Sequence, residues 1–494
     1  MDENPADCDT MREMHLFVPA LLAAALAAQT PEWPQFRGID GLGIAASAAP
    51  VEFGPEKNVV WKVRVPLGHS SPVIAGDRIF LTAEEGGRKA NVDRDKITTD
   101  GVLVTICLDR RTGATLWRRE APRPRLEKYQ PTNSAASPSA VTDGRSVFVF
   151  FGDYGLLAYS VDGKELWRLP LGPFNNVNGH GTSPIVSGNR VYLVCDQDTD
   201  SYLIAVDKRT GKVDWKVERP EVTRSYVTPG IYRPRNGPAE LVVPGAFQLI
   251  GYDLETGKKL WWVTGQSWQP KSLAVIVGDT IYTHGFEAGG EGETAVETPT
   301  WEEVRKRWDA DGDGRLSQAE FQDPRLSRGF VNTDLNSDGY LDQHDWENFR
   351  ARRSARNRLV AVKGGGRGDI TESHVVWSMQ KFLPNPPSPL VHDGILYLIK
   401  DGGILTAVEA ATGKILKQGR LNGALDTYYA SPVLARGKLY LLSQQGKAVV
   451  VKAGADWEVL AVHDMDEEVY ATPAVVGGRL YLRTKSTFYC FGGG

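Results

Sequence analysis

The sequence predicts an all-β chain folded as an eight-bladed β-propeller, closed by an N-terminal strand and carrying a small α-helical insertion in its fifth blade. Three observations predict this. A Ser-Pro or Thr-Pro step recurs ahead of paired strand patterns, a glycine turn followed by tryptophan recurs in the same units, and the last unit lacks one strand that the N-terminus can supply.

The recurring steps lie at Pro72, Pro138, Pro184, Pro229, Pro270, Pro389, Pro432 and Pro473. Each opens a strand, a glycine turn and a second strand, as in TSPIVSGNRVYLV and ASPVLARGKLYLL; the fourth has a longer turn, and the fifth has Gln269 in place of Ser or Thr. Successive gaps are 66, 46, 45, 41, 119, 43 and 41 residues. Most match the length of one four-stranded blade, about 40–45 residues.

The second half of each unit is a hairpin ending in an aromatic residue, as in LDRRTGATLW, SVDGKELW, VDKRTGKVDW and YDLETGKKLW. Trp117, Trp167, Trp215 and Trp261 each follow the turn glycine by four residues. Glycine supplies the positive φ that such turns need. The tryptophan then falls on the outermost strand, where it packs between neighbouring blades. Lys417 replaces it in VEAATGKILK, and VVVKAGADWEV lacks the spacing, so those blades seal differently. The eighth unit ends at Gly494 after three strands, and NVVWKVRV at 58–65 offers the fourth, with Trp61 in the docking position. Closing the ring this way removes two exposed sheet edges.

The 119-residue gap contains two acidic loops, DADGDGRLSQAE and DLNSDGYLDQHD. In the first, Asp309, Asp311 and Asp313 occupy positions 1, 3 and 5, Arg315 offers its carbonyl at position 7, and Glu320 closes position 12. Asp334, Asn336, Asp338, Tyr340 and Asp345 repeat the plan in the second. Calcium takes about seven oxygens, and glycine at position 6 (Gly314, Gly339) allows the bend that gathers them. Two such loops 25 residues apart, flanked by the helical stripes Trp301, Val304, Trp308 and Trp346, Phe349, are read as a calcium-binding EF-hand pair. Asp345 is one methylene shorter than glutamate, which makes the second loop the weaker site or turns it toward magnesium. The run Arg350, Arg352, Arg353, Arg356 and Arg358 reads as a solvated helix end complementing the helix dipole.

The D-x-x-T-G-x-x-x-W spacing, the Ser-Pro strand starts and eight units resemble the quinoprotein-type propeller repeat, from Trp33 to Gly494 outside the insertion. WPQFRGIDGLG resembles the N-terminal segment of exported bacterial members. The resemblance implies fold. It implies no single function, because the family includes quinone-dependent dehydrogenases and non-enzymatic scaffolds. In the dehydrogenases it implies a calcium ion beside the quinone at the propeller centre, covered by a disulfide between adjacent cysteines.

This chain has no adjacent cysteines. Cys8 precedes the mature chain, and Cys107, Cys195 and Cys490 read as buried free thiols. A net charge of −4 excludes the basic footprint of a nucleic-acid binder. The apolar run 16–28 is shorter than the roughly 20 residues of a membrane span and reads as a secretory signal. Cleavage is expected near Ala27 or Ala28, with Met11 or Met14 as alternative starts. The chain divides into the signal (1–28), an N-terminal extension (29–57), the closing strand with blades one to five (58–285), the calcium module (286–356) and the rest of the propeller (357–494).

The expected function is that of an exported, monomeric, calcium-binding propeller of the periplasm or cell surface, acting as a binding or scaffold protein with no transmembrane segment in the mature chain. Its partner, a protein or small molecule, is expected at the channel mouth, where blade-to-blade loops deliver His69, His180, Tyr226, Tyr429 and Tyr470. The module is expected on that same face, opposite a second projection at 84–101. The alternative is a pyrroloquinoline-quinone-dependent alcohol or sugar dehydrogenase. That quinone is not expected to bind, since no adjacent cysteines are present to cover it and the evident calcium loops lie in the insertion, nearly saturated by protein oxygens. No nucleophile elbow or other catalytic signature accompanies the repeats.

Overall fold

The computed structural model describes residues 31–93, 96–286, 298–322 and 329–493. The signal segment, its alternative starts and Cys8 lie outside the described residues, as do parts of both projections. Eight antiparallel sheets form the ring. Blades one to four span 73–120, 141–170, 185–218 and 230–264, and blades six to eight span 390–420, 433–464 and 474–492. Blade five joins Val275–Val277 and Thr280–Gly285 to Arg358–Lys363 and Val375–Met379, so the insertion separates its second and third strands. Val59–Arg64 completes blade eight by pairing with Thr487–Gly492.

The tryptophan repeat seals the blades through two contacts at once. The Trp117 indole N–H donates to the Val161 carbonyl of the next blade at 2.8 Å, and Gly163 lies flat on the ring. Trp61 and Trp167 make the same bond to Arg110 and Lys208, under Gly113 and Gly211. Glycine is required here twice over. Gly163 has φ +83°, and a Cβ there would lie 2.7 Å from the indole. Trp377 of blade five makes this seal with Ala410, although no T-G turn precedes it. Lys417 seals blade six by donating to the Trp457 carbonyl at 2.8 Å while lying over that ring. Trp261 departs from the expectation: its indole turns back to Glu240 of its own blade at 2.7 Å. There the long turn of blade five adds Gly368–Asp369 beside Trp261 and Trp262 and takes the place of a tight docking turn.

The innermost strands explain the Ser/Thr-Pro steps. The backbone N–H of Ser71 donates to the Ser139 hydroxyl, Ser139 to Ser183, and Ser183 to Thr228. Beyond a break, Leu273 donates to Ser388, Ser388 to Ser431, Ser431 to Thr472, and Thr472 back to Ser71, all at 3.0–3.2 Å. Each hydroxyl thus satisfies a buried donor of the preceding blade, whose loss costs about 1–3 kcal/mol. The ring breaks at blade five, where Leu273 offers no hydroxyl. These bonds correct the repeat alignment at two units. The residues before the inner strands of blades two and five are Ser139-Ala140 and Leu273-Ala274, so Pro138 and Pro270 lie two and four residues upstream of the equivalent positions.

The N-terminal extension crosses the ring on the side where the inner strands end. Pro31–Trp33 pairs with the inner strand of blade one, and the Pro34 carbonyl accepts from Thr142 of blade two. Asp40 approaches Arg233 beyond blade four, Arg37 donates to Pro389 at blade six, and Ile44–Ala45 adds a parallel strand to blade seven. Phe53 then packs on Phe491 of blade eight at 5.0 Å. Phe36 and Leu42 join the apolar cluster containing Leu273, so the break in the hydroxyl ring is where the crossing segment packs.

Candidate functional site

A cavity of about 360 Å³ occupies the channel, with Phe36 as its floor and the hydroxyl ring as its wall. Its rim includes His69, Tyr226, Tyr429 and Tyr470. His69 stacks on Tyr470 at 4.1 Å, and Tyr429 meets Tyr470 at 5.3 Å. Burial, and then the nearby Arg483 guanidinium, push the His69 imidazole down to about 3, so it is neutral at physiological pH. The Tyr226 hydroxyl accepts from Asn178 at 2.6 Å, and burial raises its pKa, keeping it protonated.

His180 is placed differently from the expectation. It lies 7% exposed between Phe150 and Phe174, and the adjacent Gly181 lines the cavity in its place. Sequence position alone could not separate the two, because the apolar partners that draw the imidazole inward belong to other strands and loops.

The insertion rises on the mouth face, as expected, but it leans over blades three and four instead of standing apart from the first projection. The helices α1 (Trp301–Trp308), α2 (Phe330–Thr333) and α3 (Gln343–Ser354) pack around Trp346, Phe321 and Val304. Asn175 donates to the Leu335 carbonyl at 2.7 Å, and the Arg352 guanidinium stacks on Trp268 at 3.7 Å. Arg352 is therefore a docking residue rather than part of a solvated helix end. A groove of about 640 Å³ results, bounded by Lys96 of the first projection, Lys128, Arg224, Trp268, Leu335 and Arg352. It meets the channel cavity at Gln130, Asn178 and Gln269.

Within the insertion the acidic loops follow one plan. Asp309, Asp311 and Asp313 bring carboxylate oxygens within 4.8 Å of one another. Asp309 Oδ2 accepts from the Gly314 N–H at 3.2 Å, and Glu320 accepts from Ser317 and Ala310. Asp309 Oδ1 is buried without a hydrogen-bond partner, which suits a cation ligand. The second loop matches: Asp334 accepts from Gly339, Asn336 from Asp338, Asp338 from Tyr340, and Asp345 from Leu335. Leu316 and Leu341 pair the two loops as antiparallel strands.

The chain matches the family model described as outer membrane protein assembly factor BamB over residues 100–341 and 350–492. It belongs to that family. Among solved structures, BamB from Moraxella catarrhalis is 11% identical, with 88% of this chain and 97% of that one covered and a TM-score of 0.52. A europium-containing methanol dehydrogenase is 9% identical, covering 94% and 98% with a TM-score of 0.58. The quinohemoprotein alcohol dehydrogenase ADHIIG from Pseudomonas putida HK5 is 10% identical, covering 93% and 80% with a TM-score of 0.52. At such identities the likeness is one of fold. No curated protein sequence gives a significant match.

Membership of the BamB family leaves the quinone question to the site itself. A quinone with its calcium ion needs hard anionic oxygens beside the ring system. Among the described residues, those lining the channel cavity include no aspartate or glutamate, and Cys107, Cys195 and Cys490 are buried free thiols elsewhere. The lining does not fit that pair. Among the described residues no helix is long and apolar enough to cross a membrane.

Proposed function

We propose that this chain is an exported, calcium-binding member of the BamB family that acts as a periplasmic or cell-surface binding or scaffold protein through its mouth face. The observation that carries the reading is the groove between the insertion and the blade loops, which opens directly onto the channel cavity. A floored channel, an aromatic rim and a groove bounded by two projections form a concave, chemically mixed surface of the kind that binds partners. Rigid blades supply the platform, and the loops supply the recognition.

Calcium fits the insertion. In the first loop Asp309, Asp311, Asp313, the Arg315 carbonyl and Glu320 would hold it; in the second, Asp334, Asn336, Asp338, the Tyr340 carbonyl and Asp345. The ion supplies charge neutralisation, so the carboxylates can share one small volume. Leu335, one residue into the second loop, is also the residue that Asn175 grips. Ordering that loop therefore orders one wall of the groove.

Photo-crosslinking in the native host tests the reading. Reactive residues substituted at Lys128, Trp268 and Arg352 should capture a partner, and residues placed on the opposite face at Lys164 and Lys258 should not. Capture confined to the opposite face would refute it.

A further inference from the structure

The channel cavity has a charge character that its neutral-looking lining hides. Arg37 and Arg483 are fully buried, at 0% and 1% exposure, and neither meets a carboxylate among the described residues. Arg37 donates to the carbonyls of Leu42 and Pro389. Arg483 donates to the carbonyls of Pro66, Ser70 and Thr82 and to the Ser70 hydroxyl. Burial pushes both guanidinium groups down to about 9, which still leaves them charged at neutral pH. Both charges lie directly behind the wall, since Pro389 and Ser70 adjoin the ring residues Ser388 and Ser71. Buried charge without a counter-charge is costly, and its field reaches far through a medium of low dielectric.

The wall adds donors of the same sign. Every ring hydroxyl accepts a backbone N–H, and none donates to an acceptor among the described residues, so each O–H remains available to the cavity. A hydroxyl that accepts from the backbone while keeping its own proton is a donor to whatever enters. Lys271 contributes an ammonium two residues before Leu273, and among the described residues no carboxylate lines the space. At the floor, Phe36 and Leu273 are apolar.

We propose that the channel cavity binds a small organic anion, its carboxylate or phosphate group held by the hydroxyl ring and Lys271 and its apolar end resting on Phe36 and Leu273. This deepens the mouth-face reading by naming the chemistry of the channel occupant. The anionic oxygens accept from the ring hydroxyls, while the buried guanidinium groups act on them through space. A carboxylate and a phosphate monoester share this chemistry and differ in charge and in number of acceptors.

Isothermal titration of the full chain in low-chloride buffer tests it with three six-carbon ligands: hexanoate, hexyl phosphate and hexanamide. One of the anions should bind at one per chain, with hexanamide, the neutral isostere of hexanoate, about tenfold weaker or worse. Stronger binding of hexyl phosphate assigns the site to phosphate monoesters; stronger binding of hexanoate assigns it to carboxylates. Lys271→Met should weaken the preferred anion by about tenfold with an unchanged melting temperature. Equal binding of hexanamide, silence from both anions, or an unaltered affinity in Lys271→Met would overturn the proposal. Partner capture at the groove is measured separately by crosslinking, so the anion site can fail while the mouth-face reading survives.

Discussion

The seam between blades one and two offers a direct measurement of what holds the ring together. Trp117 is 7% exposed, donates its indole N–H to Val161 and carries Gly163 flat against its face. Trp117→Ala removes the indole from a packed crevice and should cost about 3–5 kcal/mol. Trp117→Phe keeps much of the apolar burial and leaves the Val161 carbonyl unpaired, for about 1–3 kcal/mol. The informative partner is Gly163→Ala. In the native background it costs about 1–2 kcal/mol for the left-handed backbone and a further 1–3, roughly, for a methyl pressed into the ring. With alanine at 117 the steric part vanishes and the backbone part stays. The double mutant should therefore be about 1–3 kcal/mol more stable than the sum of the single costs predicts. Urea unfolding followed by circular dichroism measures all four proteins, with the module's own transition fitted separately. Additivity of the two substitutions within about 0.5 kcal/mol would refute the glycine-on-indole seal.

Three further outcomes follow from the same structure. At calcium about 100 times the dissociation constant, the insertion should gain roughly 2.7 kcal/mol, seen by calorimetry as one transition that shifts with chelator; Asp309→Asn should abolish most of the shift, and a profile unmoved by calcium would refute the metal assignment. His69, His180 and His284 are held near 3, 3 and 4 by burial, so each stays neutral in the fold while the unfolded chain takes up protons as pH falls through 6.5. Each therefore lowers stability from about pH 6.5 downward, and their imidazole NMR signals should not titrate between pH 8 and pH 5; a midpoint near 6.5 would contradict the burial. Reconstitution with pyrroloquinoline quinone and calcium should give no dye reduction with alcohols or sugars, because the described channel lining offers no carboxylate to seat the ion.

The eight blades and the closing strand were legible because repetition averages over local accidents. A pattern seen at Trp61, Trp117 and Trp167 survives at Trp215, which keeps the glycine contact with its indole N–H unpaired among the described residues, and survives its failure at Trp261. Pro138 and Pro270 misled for the same reason in reverse. Proline marks the step in six blades, but the group that does the work is the hydroxyl before it and the backbone N–H beside it, and these are located only by pairing. Trp377 escaped notice because its turn is long, and the seal depends on where the ring lands, not on residue count. The crossing segment 31–53 has no repeat to announce it. Each of its contacts is with a different blade, so no local pattern encodes the path. His180 shows the same limit at a single residue.

The crossing segment also ties the order of synthesis to the order of assembly. Phe53 rests on Phe491, His463 meets the Val51 carbonyl across 412 residues of sequence, and Val59 pairs with Phe491. Loop closure over such separations is slow, and it cannot begin until the last blade exists. The first residues of the ring are therefore the last to be fastened, and the blades between them must wait with their floor unlaid. Exposed edges at both ends persist through that interval, so for this molecule the hazard of mispairing falls in the time before closure rather than in the finished ring.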